Sequence, residues 1–268
     1  MRAIKFTKMV ASGNDFVVLR GDFKDASCNL PALARKFCDR KFGIGADGLL
    51  IVQPSRIATV GMRIFNPDGS EAEMCGNGAR CVAFFTQKHN GSIETKAGII
   101  DFEAGINKVR IKLTDPREIQ QDVSVRVFSR NIRVNFLNTG VPHAVIFVHG
   151  LEDFKIERLG AAIRYHKKFA PAGTNVDFVQ VQGGNLIALR TYERGVEAET
   201  LACGTGTVAS AVIFALKTGS NDKVKVKTRG GETLTVYFKR RSDAFNDVWL
   251  EGGVSVIFNG EVIIKERR

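Results

Sequence analysis

The chain has no long apolar run. Nothing in its 268 residues approaches the eighteen or so apolar residues that a membrane-spanning helix needs. The first ten residues, Met1 to Val10, mix Lys5 and Lys8 into their apolar positions instead of forming the continuous block of a signal peptide. The expectation is a cytoplasmic protein with no membrane partner. Paired cysteine motifs are also missing. The five cysteines, Cys28, Cys38, Cys75, Cys81 and Cys203, are odd in number and irregularly spaced, which argues against a secreted disulfide framework. There is no C-x-x-C pair and no Cys/His spacing of a zinc site, so no metal is expected. No lysine stands in an evident pyridoxal phosphate motif, and no groove-reading motif for nucleic acid is present. Lys and Arg number 39 against 28 Asp and Glu, a formal charge of +11. The basic residues are scattered, however, and their longest cluster, Lys239-Arg240-Arg241, is short. The charge is read as a solvated surface with no nucleic-acid partner.

What the chain does have is a core and a repeat. At 44% hydrophobic and 25% charged residues, it belongs with packed globular proteins. Slid against itself by roughly 126 to 133 positions, it matches in order along most of its length. Gly13 meets Gly140, Asp47 meets Asp177, and Arg63-Ile64-Phe65 meets Arg190-Thr191-Tyr192. Glu71-Ala72-Glu73 meets Glu197-Ala198-Glu199, Cys75-Gly76-x-Gly78 meets Cys203-Gly204-x-Gly206, and Gly91 and Gly98 meet Gly219 and Gly231. A collinear series of this kind means duplication into two similar halves. The join is placed near Thr114 to Val123, giving halves of 1–118 and 119–257, with a final strand, 258–268, free to return to the first half.

Each half reads as mixed α/β. Period-two apolar segments such as Phe16 to Leu19, Leu49 to Val52, Ala144 to Val148 and Phe178 to Val181 predict strands. Leu30 to Phe42 and Leu159 to Phe169 predict helices. Asn259-Gly260 between apolar runs predicts a hairpin.

Two further helices are predicted after Cys75 and Cys203, opened by a capping residue, Asn77 or Thr205, and closed by Gly91 or Gly219. Their bodies, Val82 to Phe85 and Val208 to Leu216, are apolar around much of their circumference, as buried helices are. At a helix start, unpaired N–H groups and the positive end of the dipole favour a thiolate and lower the thiol from its free value of about 8.5. The same N–H groups bind a carboxylate. If duplication sets the halves across a cleft, two thiols face one pocket. Inverting a stereocentre needs a base on one face and an acid on the other, and two matched cysteines supply both.

These residues resemble a known family. The run Asn66-Pro67-Asp68-Gly69-Ser70-Glu71-Ala72-Glu73-Met74-Cys75-Gly76-Asn77-Gly78-Ala79-Arg80 is similar to the diaminopimelate epimerase signature around its first catalytic cysteine. Gly13-Asn14-Asp15-Phe16, Gly43 to Gly48, Gly173 to Phe178, and Glu193-Arg194-Gly195 leading to Glu199 through Gly206 agree in order. The resemblance implies two α/β halves, each a mixed sheet curled around a central helix, with the active site in the cleft between them. It implies epimerisation of LL- and meso-diaminopimelate, in lysine and cell-wall precursor biosynthesis, without cofactor or metal, by a homodimer. Cys75 and Cys203 would be the acid/base pair, supported by His143 and Glu193. Asn14, Asn66, Gly76, Asn77, Asn175, Glu193, Arg194, Gly204 and Thr205 would contact substrate. Many members have Asn where this chain has Val141, and some have Gln where it has Gly48, which puts identical distal contacts in doubt.

Other readings remain open at this level. An isomerase of the proline racemase type would share the two cysteines without needing the distal Asn and Arg contacts. A redox protein would use Cys75 and Cys203 as a reversible dithiol.

Overall fold

A computed structural model describes residues 2–21 and 29–264. Cys28 and residues 265–268 lie outside that range. The chain divides into two compact units, one running to Ile111 and resuming at Gly252, the other Lys112–Glu251. No described helix is long and apolar enough to cross a membrane.

The first unit is built from β1 (Arg2–Ala11), β2 (Asn14–Arg20), α1 (Leu30–Cys38), β3 (Gly48–Gln53), β4 (Val60–Phe65), β5 (Glu71–Ala72), α2 (Gly76–Phe85), β6 (Asn90–Thr95), β7 (Gly98–Ala104) and β8 (Lys108–Lys112). Its sheet is mixed. β2 with β3 and β4 with β6 are parallel, while β1–β2, β3–β4, β4–β5, β6–β7 and β7–β8 are antiparallel. Helix α2 touches β1, β2, β3, β4, β6 and β7, so the sheet curls around it. Helix α1 packs on β3 and β4 over a core that includes Leu19, Phe37, Leu49, Ile51 and Phe65.

The second unit repeats this order after one added strand, β9 (Arg117–Val127). It continues with β10 (Arg130–Asn138), β11 (Pro142–Phe147), α3 (Ile156–Arg164), β12 (Asn175–Gly183), β13 (Leu186–Glu193), β14 (Ala198–Thr200), α4 (Gly204–Thr218), β15 (Lys223–Lys227), β16 (Thr233–Arg241) and β17 (Ala244–Gly253). β11 with β12 and β13 with β15 are the parallel pairs, matching the first unit. Helix α4 touches β10, β11, β12, β13, β15 and β16. Every residue from Gly206 to Ala215 is buried, which is why this helix is apolar all round rather than striped. Val208, Val212, Ile213 and Phe214 each contribute about 1.5–3 kcal/mol through that burial.

The repeat is also visible in paired side chains. Arg63 on β4 makes a two-pronged contact with Glu71, Nε to Oε1 at 2.7 Å and a second guanidinium nitrogen to Oε2 at 3.1 Å. Arg190 on β13 does the same with Glu199, at 2.6 and 2.7 Å. The structural counterpart of Glu71 is therefore Glu199, two residues beyond the Glu197 that the sequence match pairs with it.

The polar stretch where the join is expected, Thr114 to Val123, runs into β9, which pairs with β10 and buries Val125 and Val127 near its end. Several local expectations are corrected. The predicted carboxy-terminal hairpin is a single strand, β18 (Ser255–Ile264), which pairs antiparallel with β1. Asn259-Gly260 sits in mid-strand for packing reasons. A side chain at Gly260 would meet the Phe6 ring at 2.5 Å, and Asn259 Oδ1 accepts from the Thr7 hydroxyl at 2.7 Å. Helix α1 stops at Cys38 rather than Phe42, because the Asp39 side chain accepts from the N–H groups of Lys41 and Phe42, at 2.7 and 2.8 Å, and turns the chain. Helix α3 runs three residues earlier than expected and ends before His166, whose backbone is extended and whose ring accepts from the Lys168 N–H. Gly91 does not end α2. That helix ends at Phe85, with Gln87 taking the left-handed conformation at φ 58°, while Gly91 lies in β6 where a Cβ would strike Thr59 Oγ1 at 2.5 Å.

Candidate active site

The two cysteines open the two central helices, each as the capping residue itself. Asn77 and Thr205, which the sequence favours as caps, lie inside the first turn. Cys75 Sγ accepts from the Gly78 N–H at 3.5 Å, and Cys203 Sγ accepts from the Gly206 N–H at 3.4 Å. The next N–H groups, of Ala79 and Thr207, bond to the carbonyls of Cys75 and Cys203. That leaves the N–H groups of Gly76 and Asn77, and of Gly204 and Thr205, as those their helices cannot satisfy. They are a place for an anion beside each sulfur. The glycines keep these ends open: a Cβ on Gly206 would meet Asp177 Oδ1 at 2.5 Å, and one on Gly78 would meet Leu50 at 3.0 Å.

Cys75 is half-buried and Cys203 is buried. At Cys203 the expected direction of the thiol shift reverses. Burial pushes it well above its usual range, and the charges of Glu193 and Asp177 add to this; the Thr205 hydroxyl and the Gly206 N–H oppose them and lose. The helix end stabilises a thiolate, but removing water costs the anion more. Cys38 and Cys81 are core residues, and burial lifts the Cys38 thiol to about 11.

In the second unit the surrounding groups form one network. His143 and Asp177 have fully buried side chains, and His143 Nδ1 lies 2.7 Å from Asp177 Oδ2. The other carboxylate oxygen accepts from the Thr191 hydroxyl at 2.7 Å. Asn175, also buried, accepts from the Arg194 N–H at 2.8 Å through Oδ1 and donates through Nδ2 to the Pro142 carbonyl at 3.2 Å; the same Nδ2 is 3.5 Å from His143 Nε2. Burial raises the Glu193 carboxyl above its ordinary range, with the nearby Asp177 charge adding to it. Arg194 is half-buried, one guanidinium nitrogen donating to the Ala172 carbonyl at 3.3 Å.

In the first unit Asn14 and Asn77 are bonded to each other, Nδ2 of Asn77 to Oδ1 of Asn14 at 2.5 Å. Asn14 Nδ2 donates to Asp47 at 3.2 Å, and Arg80 donates to Asn77 Oδ1 at 2.6 Å. Beside them, Asp15 binds Lys8 at 2.7 Å and Arg40 at 2.8 Å. Burial alone would raise the Asp15 carboxyl, but hydrogen bonds from Arg40 and Lys8, with the Lys8 charge, hold it far below the usual range. Asn66 is exposed in a tight turn, its Nδ2 donating to Ser70 Oγ at 3.0 Å. At Gly48 a Cβ would sit 3.3 Å from the Phe16 ring, so the aromatic side chain occupies the start of that space. Sequence reasoning missed the anchoring roles of Asp177, Asp47 and Arg80. The signal for the first two was their match across the repeat.

Comparison with known proteins identifies the family and the fold. The family model described as diaminopimelate epimerase matches the chain twice, over residues 6–126 and 135–245, one match for each copy of the repeat. A diaminopimelate epimerase from Methanocella arvoryzae is 41% identical, with 98% of each chain covered. Among solved structures, a phenazine biosynthesis protein of the PhzF family from Bacillus anthracis superposes with a TM-score of 0.76 at 18% identity, covering 98% of this chain and 100% of that one. A probable proline racemase from Agrobacterium radiobacter gives 0.70 at 15%, covering 98% and 93%. At such identity the structures speak for the fold alone, a mixed α/β fold with a duplicated plan. The family is settled by the match over both halves and by the closely similar full-length relative: this chain belongs to the diaminopimelate epimerase family of isomerases.

Proposed function

We propose that the protein interconverts LL- and meso-diaminopimelate, with Cys75 and Cys203 as its acid/base pair. One observation carries the reading: two repeat-related helices each begin at a cysteine whose sulfur accepts a helix N–H, with two further N–H groups beside it. One sulfur, as thiolate, takes the α-proton. The electron pair left on carbon spreads onto the α-carboxylate, which the N–H groups of Gly76, Asn77, Gly204 and Thr205 stabilise as its charge grows. The other sulfur, as thiol, gives a proton to the opposite face of the same carbon. The reverse reaction exchanges the roles. Cys203, whose burial keeps it protonated at rest, suits the donor role first; Glu193 beside it and the fixed His143 ring support the proton transfers. Arg194 holds the distal carboxylate through its planar fork, and Asn14, Asn66 and Asn175 complete the substrate contacts. No cofactor and no metal enters these steps.

Proton NMR in heavy water, under reducing conditions, tests this. The expected result is loss of the α-proton signal of LL-diaminopimelate together with growth of the meso isomer, while proline is untouched. Turnover of proline in place of diaminopimelate, or no α-exchange with either, would sink the reading.

A cytoplasmic homodimer active in lysine biosynthesis belongs to the same proposal. On β18 the side chains of Val256, Ile257, Phe258 and Ile263 are 44–66% exposed, an apolar surface that a second copy would bury. Sedimentation velocity is expected to give a dimer, and Phe258→Asp to shift it toward monomer. A wild-type protein that stays monomeric at micromolar concentration would rule the dimer out.

A further inference from the structure

The first unit contains a chain of side chains whose ends differ in kind. At one end is the guanidinium of Arg80, fully buried on α2, which can only donate hydrogen bonds. It therefore requires an oxygen from Asn77, and it has one, Oδ1 at 2.6 Å. That choice turns the Asn77 amide so that its Nδ2 faces Asn14, whose Oδ1 accepts at 2.5 Å. The Asn14 amide is turned in the same way, and its Nδ2 faces Asp47 at 3.2 Å. At that end stands a carboxylate, which can only accept. Asp47 is itself held, Oδ1 by Arg40 at 2.6 Å and Oδ2 by the Asp15 N–H at 3.2 Å. Arg80 is anchored by the Ser12 hydroxyl at 2.6 Å. A donor-only group at one end and an acceptor-only group at the other allow a single orientation of the two amides between them. Flipping either one would set N–H against guanidinium or carbonyl against carboxylate.

We infer that Asp47 and Arg80 are positioning residues, which together fix the Asn14 amide so that it offers its second N–H to an acceptor oxygen of the substrate. The inference rests on the reading of Asn14 as a substrate contact. An independent feature supports it. At the matching position of the repeat, Asp177 orients His143, again across a parallel strand pair, β11 with β12 in place of β2 with β3. Duplication has kept an aspartate whose task in both halves is to aim a polar side chain from the adjoining strand.

A double-mutant cycle on the full-length protein tests this. Asp47→Ala is expected to raise KM for diaminopimelate about 10- to 100-fold with kcat within about threefold of wild type. Asp47→Asn, which keeps an acceptor for Asn14, should lose less. In an Asn14→Ala background the Asp47→Ala substitution should change KM by no more than about twofold, because its effect runs through the missing amide. Should Asp47→Ala fail to fold, Asn77→Asp serves instead: it keeps the oxygen for Arg80, removes the donor to Asn14, and should show the same dependence on Asn14. Effects that multiply across the cycle, or an unchanged KM in the single variant, overturn the relay. If wild-type protein does not turn over diaminopimelate at all, the functional reading falls separately. The relay is then read from the Asn14 side-chain amide resonances, which should move on Asp47→Ala; identical resonances overturn it.

Discussion

Cys75→Ala and Cys203→Ala are each expected to lower epimerisation by about 10²- to 10⁴-fold, the range for removing a positioned acid or base, and in both directions of reaction. The loss should be far larger than any effect on folding. Each sulfur caps its helix through one weak N–H contact, at 3.5 and 3.4 Å, and losing a helix cap costs about 0.5–2 kcal/mol. Circular dichroism and thermal melting of the variants should therefore stay close to wild type while α-proton exchange, followed by proton NMR in heavy water, falls away. Cys→Ser is the stricter control, since a hydroxyl restores the cap but is a poor base at neutral pH. A serine variant as stable as wild type yet inactive separates chemistry from capping. Full activity in any of these variants would overturn the assignment of that cysteine.

The second large effect is on stability. Asp177→Ala is expected to destabilise the protein by about 3–5 kcal/mol, the range for removing one member of a buried charged or hydrogen-bonded pair. Asp177 is wholly buried and accepts from His143 Nδ1 and the Thr191 hydroxyl, each at 2.7 Å. Deleting the carboxylate leaves both donors without an acceptor in a space water does not reach, and each such orphan costs about 1–3 kcal/mol. Urea unfolding should show the midpoint falling with an unchanged slope. Asp177→Asn keeps the shape and one acceptor, so its loss should be smaller. A change below about 1 kcal/mol in the alanine variant would mean that the pair is not holding the unit together.

Much of this was legible in the sequence because the chain states it twice. The matched intervals from Cys75 and Cys203 announced two buried helices with a cysteine at each start, and both are there. What the sequence could not show was which atoms finish each turn. Asn77 and Thr205 are capping types, yet the cysteines took the cap, because Gly78 and Gly206 bring their N–H groups within reach of sulfur. Asn259-Gly260 has the composition of a turn and forms none, since the glycine answers to the Phe6 ring on β1, some 250 residues away in sequence. β9 is not evident in the sequence because its exposed side chains are polar, while its strand pairing is made by backbone groups that composition does not reveal. At Cys203 the dipole argument had the right physics and the wrong sign, because burial and two carboxylates, known only once the chain is folded, outweigh a helix end.

Strand β1 and its counterpart in the repeat, β10, each have an extra neighbour: β18 lies beside β1, and β9 beside β10. In the second unit that neighbour is made immediately before its partner. In the first it is translated only after every residue of the second unit. A growing chain on the ribosome can thus assemble all the strands of its later half while Ile4 and Phe6, already synthesised, still await the segment that covers them. The half that is made first is the half that is finished last.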